Sequence, residues 1–378
     1  MIIDTNTAPT SLSFDLFCRV VDNFGDIGVC WRLAKQLACT AQCQKVRLWV
    51  DDLAAFRKIE TAVDRSRPQQ RLRNIELIHW TTPAPELTPC SVVIEAFGCN
   101  PPSEFIAKIG GQNSTWINLE YLSAEPWVEA CHALPSIQSN GLRKFFFFPG
   151  FTTATGGLLR ELGLIRKRDA WIRQPGLRWK QLEQIGVPDT SIELLRRGAR
   201  QVFLFCYASA PAHALAHCLA QQSRPSVLIM PKGVYPSVGA SQVQNVFIHE
   251  IPFVDQDGFD QLLWGSDLNF VRGEDSMVRA LWAGKPLIWQ LYEQDNDAHL
   301  IKLDAWLERS GLAPAVCDLM RTWNTCKGPD FDAKLNTLLN SDAWPAWQSD
   351  ATRWSDALAG LPDLTSLLVA FCMEQRTG

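Results

Sequence analysis

The sequence lacks several features that mark whole classes of protein. Its 36 Lys+Arg stand against 40 Asp+Glu, a formal net charge of −4, so no sequence-wide basic excess marks a nucleic-acid or anionic-membrane binder. No run approaches the roughly 18 consecutive apolar residues of a transmembrane helix. The opening MIIDTNTAPTSLSF carries neither the basic nor the apolar segment of a secretory signal. The twelve cysteines show no CxxC pairing, which leaves a zinc site without support. Most lie in apolar surroundings, as do Cys18, Cys30, Cys206 and Cys372, and read as buried reduced thiols of a cytoplasmic protein. Cys39 and Cys43 have the i, i+4 spacing of one helix face. His213 and His217 share that spacing, but without the intervening Glu of HExxH they read as a helix face, not a metal pair.

What is present is ordinary globular sequence with much tryptophan. Apolar residues make up 47% of 378 residues, and 15 are Trp. Length alone predicts two or three domains. Short apolar runs recur at 13–21, 46–50, 75–80, 91–97, 116–122 and 144–148, with an amphipathic helix over 27–39. Such runs between helices predict a mostly parallel sheet covered on both faces. Near 156–186 the pattern changes: 160–173 is rich in charge and Gln174-Pro175-Gly176 is a breaker, with a helix expected over 179–185. A second series follows, with strands at 202–207, 226–230, 246–251, 268–271 and 287–292. Helices are expected at 212–221, 258–264, 276–283 and 297–308, and a last amphipathic segment at 364–374. Two successive α/β series predict two Rossmann-like domains, with ligands at the carboxyl ends of the strands.

Two loops carry the chemistry. Asp22-Asn23-Phe24-Gly25-Asp26-Ile27-Gly28 joins the first strand to the first helix. It is not the GxGxxG fingerprint of a dinucleotide site, which disfavours an NAD-dependent oxidoreductase. Two aspartates favour a cationic partner or proton abstraction. The alternative stays open at this stage: Asp26 caps the helix and Asp22 bonds the turn. The second loop, Arg272-Gly273-Glu274-Asp275-Ser276, leads from a strand into a helix. Free N–H groups at a helix start attract diphosphate, Gly273 permits close approach, Arg272 adds a charged donor, and Glu274 suits sugar or ribose hydroxyls. Here too an N-terminal cap is the plainer alternative. Phe253 and Gln256 follow another strand and are placed to stack on and hydrogen-bond a pyrimidine, although an isolated Phe is more often core.

The stretches FCRVVDNFGDIGVCWRLAKQLA (17–38), IPFVDQDGFDQLLWGSDLNF (251–270) and DLNFVRGEDSMVRALWAGKPLIWQLY (267–292), continuing to 294–299, closely resemble the bacterial protein-arginine rhamnosyltransferases that mature translation elongation factor P. The resemblance implies a GT-B fold: two facing Rossmann-like domains, an acceptor-binding one over 1–180 completed by about 355–378, and a nucleotide-sugar-binding one over 181–354. It implies an inverting, metal-independent transfer of rhamnose from TDP-β-L-rhamnose to one arginine of elongation factor P, with no cofactor, no direct nucleic-acid partner and no membrane. It implies catalytic roles for Asp26, as base, with Asp22 and Glu274. Donor-binding roles fall to Asn23, Phe24, Gly25, Phe205, Tyr207, Phe253, Gln256, Arg272, Gly273, Glu274, Asp275 and Ser276. The competing readings are another GT-B transferase or an epimerase, and a non-catalytic nucleotide-sugar-binding protein.

Overall fold

The structure, a computed structural model, describes residues 11–21, 24–239, 242–325 and 328–377. The chain divides into two compact units, 1–162 with 361–378 and 163–360.

The first unit is an eight-stranded sheet in the order β3-β4-β2-β1-β5-β6-β8-β7. Its strands are β1 (Leu12–Cys18), β2 (Cys43–Val50), β3 (Gln69–Leu72), β4 (Ile75–His79), β5 (Val92–Ala96), β6 (Thr115–Leu119), β7 (Pro135–Ile137) and β8 (Arg143–Phe147). The helices are α1 (Gly25–Leu37), α2 (Leu53–Ile59), α3 (Ser103–Ile109) and α4 (Trp127–Cys131). The interior strands pair in parallel, while β3 and β7 pair antiparallel at the two edges. Central β1 buries both faces, which is why its sequence is nearly continuous in apolar residues. Phe14 and Leu16 enter one core with α1, and Phe17 enters the other, stacked on Trp49 at 4.8 Å. Charges inside this sheet are paired: Asp15 is held by Arg47 and by Trp49 Nε1 at 2.8 Å, and Glu95 by Lys144 at 2.7 Å.

The second unit is a six-stranded sheet in the order β11-β12-β10-β9-β13-β14. It comprises α5 (Leu164–Ile172), α6 (Pro175–Gln184), α7 (Asp189–Arg196), β9 (Arg200–Phe205), α8 (Ala212–Ala220), β10 (Ser226–Pro231), β11 (Gln242–Val243), β12 (Val246–Ile251), α9 (Gln256–Gly265), β13 (Leu268–Arg272), α10 (Asp275–Ala283) and β14 (Leu287–Gln290). Then come α11 (Ala298–Ser310), α12 (Pro314–Asn324), α13 (Gly328–Leu339) and α14 (Ala343–Ala359). A bidentate pair, Arg279 to Asp260 at 2.9 and 2.6 Å, ties α10 to α9 with both side chains buried.

The last helix, α15 (Leu364–Thr377), belongs to the first unit, as the expected C-terminal return requires. Leu364, Leu368 and Cys372 complete the core around α1. Gly157 makes the docking possible: at φ +70° its missing Cβ would sit 2.6 Å from the Pro362 carbonyl. Gly360–Asp363 break the apolar stretch between α14 and α15, so its mean hydropathy of 1.4 is divided between two helices.

Several expectations shift. Residues 163–180 and 355–360, assigned in advance to the first domain, lie with the second unit. Arg168 donates to the Trp282 carbonyl at 2.7 Å and to Ser355 Oγ at 3.3 Å, and Trp171 packs edge-on to Trp264 at 5.8 Å. The supposed breaker at Pro175 opens α6 instead, because a residue at the first helical position makes no intrahelical N–H bond that proline could remove. Cys39 and Cys43 share no helix face: α1 ends at Leu37, and Cys43 begins β2. His213 and His217 do lie on α8, where His217 Nδ1 meets Asp332 at 2.9 Å.

Candidate active site

In each sheet the strand order reverses beside the first strand of the series, between β1 and β5 in the first unit and between β9 and β13 in the second. At such a reversal the two flanking loops diverge, leaving a crevice beyond the carboxyl ends of the strands. Both chemistry-bearing loops sit at these points.

In the first unit, β1 ends at Cys18, and Phe24 is the N-cap residue of α1. Asp22 and Asn23 lie outside the described residues. Gly25 opens the helix, and Gly28 N–H closes its first turn on the Phe24 carbonyl at 2.9 Å. Asp26 is only 3% exposed. Its side chain is not the N-cap group; one oxygen accepts the Val21 N–H at 2.9 Å, closing the loop on itself. The carboxylate therefore sits in the positive field of the first helical turn, with its orientation fixed by the loop. Beneath it lie Cys18 and Cys30. Burial raises both thiols, and each is raised further by the Asp26 charge, so they are neutral neighbours and not thiolate nucleophiles.

In the second unit, β9 delivers Phe205 and Tyr207, and β13 delivers Arg272. The Arg272 guanidinium lies over both rings, 5.1 Å from Phe205 and 4.7 Å from Tyr207. Stacking of this kind fixes the guanidinium plane while its N–H groups point outward along it. Gly273 turns at φ +56°, its N–H bonded to the Gln290 carbonyl at 3.2 Å. Glu274 is the N-cap residue of α10, and Lys302 Nζ holds its carboxylate at 2.7 Å. Asp275 is the first residue of that helix. The Ser276 hydroxyl accepts the Arg272 N–H at 3.1 Å and donates to the Arg272 carbonyl, stapling strand to helix. Phe253, 40% exposed, stands edge-on to Phe205 at 6.5 Å. Gln256 is buried at the start of α9, just after Asp255, whose carboxylate accepts the Gly258 N–H at 2.8 Å.

The structure thus brings Phe205, Tyr207, Phe253 and Arg272 together and places Gly273–Ser276 at the adjoining helix start. It adds residues that the sequence did not single out. Trp289 Nε1 donates to the Gly273 carbonyl at 2.7 Å, and Gln290 Oε1 accepts the Tyr207 N–H at 2.8 Å. The buried Tyr235 hydroxyl both accepts from Cys206 N–H at 2.7 Å and donates to the Cys206 carbonyl at 2.8 Å. Tyr292, 61% exposed, meets the Tyr207 ring edge-on at 5.6 Å. Only its position just past β14, on the same edge as the other loops, would have marked Tyr292 in advance.

Two parallel-sheet units, with a stacked arginine and a helix start at the second reversal point, define a GT-B-type glycosyltransferase. The fold is shared at low identity with UDP-GlcNAc 2-epimerase from Neisseria meningitidis bound to UDP-GlcNAc (TM-score 0.52, 10% identity, covering 96% of this chain and 99% of that one). The particular family follows from closer matches. The model of the Elongation-Factor P (EF-P) rhamnosyltransferase EarP matches residues 14–373. Proteins named protein-arginine rhamnosyltransferase from Pseudomonas putida and Neisseria meningitidis are 42% and 33% identical, covering 95% and 96% of this chain and 98% and 97% of theirs. A solved structure described as the structural basis for EarP-mediated arginine glycosylation of translation elongation factor EF-P superposes with TM-score 0.63 at 30% identity, over 96% of this chain and 98% of that one. The chain belongs to the EarP family and is an enzyme of the protein-arginine rhamnosyltransferase class.

Proposed function

We propose that this enzyme transfers L-rhamnose from TDP-β-L-rhamnose to one arginine side chain of translation elongation factor P, with inversion at the anomeric carbon and without a metal ion or cofactor, in the cytoplasm. The observation that carries this reading is the family match across 14–373, which spans both chemistry-bearing loops.

The chemistry suits the residues. A guanidinium is always protonated, with a pKa above about 12, and its delocalised nitrogens are poor nucleophiles. Asp26, aided by Asp22, binds it through N–H···O bonds and directs one terminal nitrogen toward the anomeric carbon. As the C–N bond forms, that nitrogen becomes acidic and Asp26 takes its proton. Holding the nitrogen in line lowers the entropic barrier of joining two substrates. On the donor side, Phe253 stacks on the pyrimidine and Gln256 bonds its edge, while Phe205 and Tyr207 form the aromatic wall. Arg272 and the positive end of the helix that starts at Glu274–Ser276 take up the negative charge that develops on the departing TDP. Glu274 accepts bonds from sugar or ribose hydroxyls. Attack opposite the leaving group turns the β-linked donor into an α-rhamnosyl arginine.

Incubation with TDP-β-L-rhamnose and purified EF-P, read by intact mass, tests donor, acceptor and reaction together. One deoxyhexosyl group added to EF-P is expected, and Asp26→Asn retains TDP-rhamnose binding while losing transfer. An EF-P mass that stays unchanged, as for an epimerase or a non-catalytic binder, refutes the proposal.

A further inference from the structure

The crevice of the first unit does not end at the Asp26 loop. Strands β5 and β6 lie next to β1 in sequence of pairing, Phe17 opposite Glu95 and Glu95 opposite Asn118. Just beyond the carboxyl end of β5 the backbone turns sharply, with Phe97 at φ +58°, Gly98 at +64° and Asn100 at +50°. A left-handed conformation is costly for a bulky aromatic residue and persists only where the surroundings hold it. Here they do. Phe97 N–H bonds to the Leu119 carbonyl at 2.7 Å, and the Gly98 N–H bonds to the Asn118 side-chain oxygen at 2.9 Å. Cys99 Sγ donates to the Phe17 carbonyl at 3.4 Å, tying this turn to β1 itself.

The turn sets two groups in place. The Phe97 ring packs against the core and stacks on Tyr121, with centroids 4.4 Å apart and planes 14° from parallel. Tyr121 is 42% exposed. The buried Asn118 side chain, having accepted from Gly98, also donates through Nδ2 to Glu120 Oε1. One amide thus orients a carboxylate and the turn that backs an aromatic face. Strands two places apart are separated by about 10 Å, so these groups and the Asp26 loop border one crevice edge.

An aromatic face beside an oriented carboxylate matches a flat, delocalised cation: the ring takes the plane and the carboxylate takes the N–H edge. We infer that Glu120 and Tyr121 bind the guanidinium or side chain of the acceptor arginine, with Phe97 and Asn118 as positioning residues behind them. This rests on the proposed arginine acceptor, and it assigns that substrate a second contact surface besides the Asp26 loop.

The test measures transfer to EF-P over an acceptor titration, with TDP-rhamnose affinity read separately by calorimetry. Glu120→Gln and Tyr121→Ala each raise the acceptor KM about tenfold or more, a charge-assisted bond or a stacked cation being lost. Donor affinity stays within about twofold, and Tyr121→Phe, which keeps the ring, restores most of the acceptor KM. Glu120→Gln is isosteric, so it decides the matter even where Tyr121→Ala misfolds. An acceptor KM unchanged in Glu120→Gln, or an equal loss of donor affinity, overturns the inference while the wild type still modifies EF-P. A wild-type enzyme that leaves EF-P unmodified defeats the acceptor reading and this inference with it.

Discussion

Tyr235→Phe removes one oxygen atom and tests how the aromatic wall proposed to take the nucleotide is held. The Tyr235 ring is 2% exposed, and burial raises its phenol, so the hydroxyl stays neutral and serves as donor and acceptor at once. Both of its bonds go to the backbone of Cys206, the residue between Phe205 and Tyr207. It completes the hydrogen bonding of β9 where that strand leaves the sheet. With phenylalanine in place, the ring still fills its space, but the Cys206 N–H and carbonyl lose a buried partner. Leaving buried polar groups unsatisfied costs about 1–3 kcal/mol, and we take ~2 kcal/mol here. For a unit of this size each kcal/mol lowers Tm by about 2–4 °C, so the second unit should melt roughly 4–8 °C earlier. The freed peptide also loosens Phe205 and Tyr207, and TDP should bind about tenfold more weakly, equivalent to ~1.4 kcal/mol. Differential scanning calorimetry and TDP titration check the two effects independently. An unchanged Tm refutes the buried-bond reasoning. A lowered Tm with unchanged TDP affinity refutes the connection between this hydroxyl and the nucleotide site.

Other perturbations address the remaining parts of the site and its support. Lys302→Met strips the partner from Glu274, whose side chain is 17% exposed; donor affinity should fall about fivefold, ~1 kcal/mol for a half-buried pair, and Lys302→Arg should recover it. Equal affinities for Met and Arg at this position in titrations would show that the ion pair does not orient Glu274. Asp260→Ala strands Arg279 in the α9–α10 interface and should cost about 3–5 kcal/mol in urea unfolding, whereas the paired change Asp260→Leu with Arg279→Met should cost far less. A double variant as unstable as the single one counts against burial of an unpaired charge as the cause. His132 accepts the Phe148 N–H through Nδ1 at 3.1 Å, and burial lowers its pKa below 6.5. The unfolded chain therefore binds this proton more readily. The stabilising contribution is complete above about pH 6.5 and is lost as pH falls below that value toward the folded pKa. Urea midpoints between pH 7.5 and 5.5 should show the loss, and His132→Gln should flatten it; an identical slope in the variant would remove His132 as its source.

Glu274 and Lys302 illustrate how far the sequence reaches. The strand–loop–helix punctuation around Arg272–Ser276 marks Glu274 as an N-terminal residue of α10, because apolar periodicity and helix-start chemistry are local. Nothing local points to Lys302, which arrives from a helix two elements later. Tyr235, Trp289 and Gln290 escape notice for the same reason: each acts on the backbone of a distant segment, and a Tyr, Trp or Gln in an apolar stretch reads as core. The edge strands β3, β7 and β11 are short and polar, so period-2 apolar patterning has little to register. Asp26 sits between these cases. Its place on a loop after an apolar strand is visible in sequence, but whether its carboxylate caps α1 or closes the loop on Val21 depends on the loop's actual path.

The order of apolar runs, turns and charged loops by itself determined a double series of parallel strands and the position of both acidic loops, since a strand buried on both faces must be almost wholly apolar and its connections must be polar. Tertiary structure alone decided where the units divide, since the allegiance of 163–180 rests on Arg168 and Trp171 meeting residues about ninety or more positions away. It also decided that Phe97 would adopt a left-handed turn against Tyr121, a strain that only contacts from neighbouring strands can hold.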